Sequence, residues 1–139
     1  MQVKRSSIIA FREQFSSKEK CEKFLLEEKM SNGFRCNRCE NDTYLKVYNT
    51  YDIRCKKCKY NESPTSNTLF HSCKISLPIA FEMVYRISVN KKGMSALGLC
   101  REYDINPKTA YNFKRKVQCK RYRNINLNDD FLCYCRVFP

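Results

Sequence analysis

Residues 36–58 read CNRCENDTYLKVYNTYDIRCKKC. Two Cys-x-x-Cys knuckles, Cys36-Asn37-Arg38-Cys39 and Cys55-Lys56-Lys57-Cys58, stand fifteen residues apart. Two turns that each offer two thiolates can close a tetrahedral site around one zinc ion, and the stretch between them is long enough for a short hairpin. Tyr44-Leu45-Lys46-Val47-Tyr48 and Tyr51-Asp52-Ile53-Arg54 alternate like its two strands, joined at Asn49-Thr50. Phe34 precedes the first knuckle and Tyr60 follows the second, aromatic residues suited to packing on a small sheet. The pattern predicts a zinc ribbon in which Cys36, Cys39, Cys55 and Cys58 hold one structural Zn2+.

The same four thiols suit a single iron, or two disulfides. The other six cysteines (Cys21, Cys73, Cys100, Cys119, Cys133, Cys135) are scattered without a pairing framework, and the chain opens without the pattern of a signal peptide. A reducing cytoplasm is the better expectation, with zinc as the cofactor. His71 is not needed as a ligand, because four thiolates complete the shell.

The 139 residues suffice for one compact domain or two small modules. No apolar run approaches the roughly 20 residues of a membrane span, and no motif for a small-molecule substrate stands out. Twenty-seven Lys and Arg against 14 Asp and Glu leave a formal charge of +13, from which a zinc tetrathiolate would subtract about two units. Such a surface attracts polyanions. Its placement is uneven: residues 91–123 carry ten Lys and Arg against Glu102 and Asp104.

Caps and breakers divide the chain. Ser16 with Glu19 three residues on predicts a capped helix over about 17–29, with Cys21, Phe24 and Leu25 on one face, ended by Ser31-Asn32-Gly33. Leu77-Pro78 opens a second helix with Phe81, Val84, Tyr85 and Ser88 in register, stopped at Asn90-Lys91-Lys92-Gly93. Ser95 caps a third, through about Tyr103, and Asn106-Pro107 a fourth, to about Cys119. The predicted class is α+β: an N-terminal helical segment (1–31), a small β zinc ribbon (32–66), a mainly helical, tri-helical helix-turn-helix module (67–123) and a tail (124–139).

In the last two helices Leu99 and Cys100 point inward, Asp104-Ile105-Asn106 makes a tight connection, and Ala110, Phe113 and Val117 share the buried side of the final helix. An advance of about 100° per residue puts Lys108, Asn112, Arg115 and Cys119 on the opposite face, with Tyr111 on a flank. Asn reads adenine bidentately in a major groove, and Arg or Lys reads guanine. Lys114 to Arg123 contains six basic residues and no acid, suited to phosphates. An ordinary helical pair with a solvated basic face is the competing reading. Tyr111 suits stacking on a sugar or thymine methyl as well as sideways packing on a helix.

The order of these segments carries a resemblance. Ser31 to Cys39, Tyr51 to Cys58 and Ser66-Asn67-Thr68-Leu69-Phe70-His71 resemble the N-terminal ribbon of zinc-ribbon insertion-sequence transposases. Ser95-Ala96-Leu97-Gly98-Leu99 and Lys108-Thr109-Ala110-Tyr111 resemble that family's helix-turn-helix, and Cys21 matches a cysteine frequent in its first helix. The likeness covers about residues 11–118. It implies a protein that recognises the terminal inverted repeats of a mobile element.

In that family a nuclease domain of the ribonuclease H type follows, holding divalent metal with acidic or amide side chains. This chain departs from the pattern there: Asp129-Asp130, before Phe131-Leu132-Cys133-Tyr134-Cys135, does not reproduce the family's acidic strand motif. The expectation is therefore a DNA-binding region with no catalytic residue of its own. Its partners would be double-stranded DNA, and itself or a full-length transposase, at the nucleoid in the cytoplasm. Lys108, Thr109, Tyr111, Asn112, Arg115, Lys116, Lys120, Arg121 and Arg123 are the expected DNA contacts. A transcriptional regulator using the same groove contacts is one alternative; a module that docks on polymerase or transposase is the other.

Overall fold

The computed structural model describes residues 8–31, 33–48, 50–90 and 93–123, with side chains through Cys119. The elements run α1 (Ile8–Gln14), α2 (Lys18–Ser31), β1 (Tyr44–Lys46), β2 (Ile53–Cys55), β3 (Asn61–Glu62), α3 (Leu77–Val89), α4 (Ala96–Tyr103) and α5 (Pro107–Arg123). The class is α+β, as the sequence predicts.

Local chemistry accounts for most boundaries. The Ser17 hydroxyl, not that of Ser16, accepts from the Lys20 N–H at 3.3 Å, so the N-cap lies one residue later than expected. No Ser-to-Glu capping box forms, because the third helical position is then Lys20. Gly33, at φ 81°, takes the chain out of α2, and its N–H closes on the Met30 carbonyl. Pro78 opens α3. Ser95 caps α4 by accepting from the Gly98 N–H at 2.9 Å, and Asp104 ends it in the left-handed region at φ 49°. Asn106 Oδ1 accepts from the Lys108 N–H at 2.9 Å and starts α5, which runs four residues past its expected end.

The sheet is antiparallel in the order β1-β2-β3. Tyr44 faces Cys55, Leu45 faces Arg54 and Lys46 faces Ile53. The third strand is missing from the sequence reading: Asn61 and Glu62 are too short a run to show alternation, yet they pair with Arg54 and Ile53.

Two apolar clusters hold these pieces. The larger gathers Phe11 and Phe15 from the N-terminus, Cys21, Phe24 and Leu25 from α2, Leu69, Phe70 and Ile75, most of α3, then Leu99, Ala110, Phe113 and Val117. Its aromatic centre includes Phe70 stacked on Phe81 at 4.5 Å between ring centroids. The smaller gathers Leu26, Phe34, Cys36, Ile53 and Cys55, with Met30 and Tyr44 against it. Helix α2 therefore feeds both: one side enters the helical core, and Leu26 with Met30 roofs the ribbon.

Candidate metal centre and nucleic-acid interface

The two knuckles are built alike. In each, the residue after the second cysteine takes a left-handed conformation (Glu40 at φ 56°, Lys59 at φ 59°), and its N–H returns to the carbonyl of the first cysteine, Cys36 or Cys55. That turn aims both thiols of a pair inward. Strand β2 ends on Cys55, so the sheet itself carries one knuckle.

The four sulfur atoms lie within 4.8 Å of one another, close enough to hold one metal ion. Cys36 Sγ is 3.6 Å from Cys58 Sγ, and Cys39 Sγ is 3.5 Å from Cys55 Sγ. A disulfide needs about 2.05 Å, and all four cysteines are free. Four thiolates at about 2.3 Å from a central ion stand about 3.8 Å apart in a tetrahedron, close to the observed spacing. Cys36 and Cys55 are buried and Cys39 and Cys58 half-buried. The Asn41 side-chain amide lies 3.7 Å from Cys55 Sγ and also donates to the Thr43 carbonyl, a support outside the ligand set.

Left to themselves Cys39 and Cys55 do not ionise together. Cys55 is held down at about 6, chiefly by the backbone N–H of Cys58. For Cys39 the Asn41 backbone N–H favours the thiolate, but desolvation and the neighbouring sulfurs outweigh it and push the thiol up to about 12. A cation among them removes that conflict. His71 is exposed and stands apart from this cluster; its carbonyl accepts from Lys116 Nζ at 2.8 Å.

The second candidate site is α5. Ala110, Phe113 and Val117 are buried, and Lys108, Asn112, Arg115 and Cys119 are exposed on the other side. Tyr111 is 59% exposed, so among the described residues it does not serve as packing for a neighbouring helix. Thr109 and Lys116 are half-buried on the flank that faces residues 71–75. The expectations for Lys120, Arg121 and Arg123 concern side chains outside the described residues, as does the tail with Asp129 and Asp130. Helix α4 packs on α5 through Leu99, and Cys100 Sγ lies 2.7 Å from the Ile105 carbonyl in the connecting turn.

Sequence reasoning missed Lys74 and Ser72, which stand across a cleft from α5, and Lys29, which reaches Glu62. Patterns within one element do not show such meetings between distant segments. No described helix is long and apolar enough to cross a membrane. Compared with protein-family models, with curated proteins and with solved structures, the chain finds no match.

Proposed function

We propose that this protein binds double-stranded DNA in the cytoplasm, laying the exposed face of α5 in a major groove, with zinc as the structural ion of the four-cysteine site. One observation carries the reading: Lys108, Asn112 and Arg115 are exposed together, opposite the buried Ala110, Phe113 and Val117, on the last helix of a tightly turned pair in the most basic part of the chain. Amide and guanidinium groups on such a face match the donor and acceptor edges of adenine and guanine. Zinc is favoured over iron by the closed set of four thiolates on a small sheet, the usual form of a structural zinc site. The resemblance to zinc-ribbon transposases supports terminal inverted repeats of a mobile element as the target.

The test is selection of bound duplexes from a randomised pool. Enrichment of one sequence is expected, and an inverted-repeat end of a mobile element as that sequence would favour transposition over transcriptional control. Recovery of unenriched DNA, or salt-insensitive binding to protein alone, contradicts the reading.

A further inference from the structure

We propose that the cleft between residues 72–75 and the start of α5 seats a backbone phosphate of the bound duplex, with Lys74 as its outer jaw. The inference rests on the reading of α5 as the DNA-facing helix and adds a contact from outside the helical pair. The cleft measures about 390 Å3 and is walled by Ser72 and Lys74 on one side and by Lys108, Asn112 and Lys116 on the other. Three cations thus share one concavity that no carboxylate lines among the described residues. A cleft of one sign with low-dielectric walls concentrates counter-ions, and its natural occupant is an anion. Phe113 closes the floor with apolar surface. A phosphodiester offers free oxygens to the ammonium and hydroxyl groups, and a deoxyribose to the floor.

The wall opposite α5 is braced. Phe70, stacked on Phe81, anchors the segment at one end and buried Ile75 at the other. Between them the Cys73 N–H returns to the Phe70 carbonyl, Ser72 turns in the left-handed region at φ 54°, and Lys116 Nζ donates to the His71 carbonyl. Lys116 is thereby a positioning residue, tying the segment to α5, and Lys74 is exposed at the rim. Asn112 belongs both to the cleft wall and to the exposed face of α5. A strand lying in the cleft would therefore run beside the base edge that Asn112 reads, as the backbone bordering a major groove about 12 Å wide should.

The experiment uses the full chain with its metal, titrated against the selected duplex and a scrambled one at several salt concentrations. Lys74→Ala is expected to lose several-fold affinity on both duplexes alike and to reduce the salt slope by about one unit. Lys74→Arg should retain the slope, and Lys23→Ala, at an exposed lysine of α2, should leave affinity and slope unchanged. An unaltered circular-dichroism spectrum of Lys74→Ala excludes misfolding as the cause. Unchanged affinity and slope in Lys74→Ala, while Asn112→Ala still loses site preference, overturns the cleft and leaves the reading of α5 standing. A loss on the selected duplex alone also overturns it, because Lys74 would then be reading a base. Failure of the unaltered protein to bind either duplex overturns both readings.

Discussion

At the scale of single residues, the cysteine knuckles decide what the ribbon can do. Glu40 and Lys59 take left-handed backbone conformations that cost a residue with a Cβ about 1 kcal/mol or more each, and the turns they complete aim four thiols at one point. A strain repeated at the same place in both knuckles is what a metal centre built from two identical turns requires. The purified protein is expected to carry one zinc per chain by elemental analysis, and Cys36→Ser to lose it together with the amide dispersion of residues 34–62. Iron in its place, or an intact ribbon after chelation, would contradict the assignment. These ligands are legible in the sequence because knuckle spacing is local. Asn41 was not, since its amide reaches Cys55 only after the sheet has folded.

At the scale of elements, charge joins what the apolar clusters bring together. Lys29 of α2 pairs with Glu62 of β3 at 2.5 Å and also donates to the carbonyls of Ser63 and Ser66. Glu62 is 2% exposed, and its Oε2 has no hydrogen-bond partner among the described residues. Lys29→Met should cost about 3 kcal/mol in denaturant unfolding because it strands that carboxylate, and the double variant Lys29→Met/Glu62→Met should recover much of the loss. Equal stability of Lys29→Met and the double variant would show that the stranded carboxylate carries no penalty.

Glu82 of α3 accepts from Arg12 of α1 and from Tyr103 of α4, at 2.6 Å and 2.9 Å to Oε1, linking three helices. Burial opposes its ionisation, but the hydrogen bonds from Arg12 and Tyr103 prevail and hold its carboxyl below the ordinary range. A depressed folded value means stability that is present above the unfolded pKa and is lost as pH falls through the folded one. Glu82→Gln should therefore be less stable than the parent at neutral pH, by about 1 kcal/mol given the solvent around Arg12, and the gap should close in acid. A gap that stays constant to low pH would rule out this linkage. Helix starts at Pro78, Ser95 and Asn106 were legible because caps act on their own neighbours. Strand β3 and the dual role of α2 were not: Leu26 and Met30 look like the back of an amphipathic helix until the ribbon packs on them.

At the scale of the whole molecule, the helical core holds α4 and α5 by one side and leaves the polar face of α5 in solvent, while the ribbon sits on α2 around its own small cluster. The charge excess in the second half of the sequence is legible from counting. The proposed division into a face for bases and a cleft for a phosphate is not, because Lys74 and Lys108 line one cleft only once Phe70 and Ile75 pack into the core. In the proposed complex α5 reads bases. The most direct measurement is titration of Asn112→Ala and Arg115→Ala against the selected and the scrambled duplex at several salt concentrations. Each variant is predicted to lose about 1 to 3 kcal/mol on the selected duplex and little on the scrambled one. Equal losses on both would contradict groove readout and reduce α5 to a basic surface.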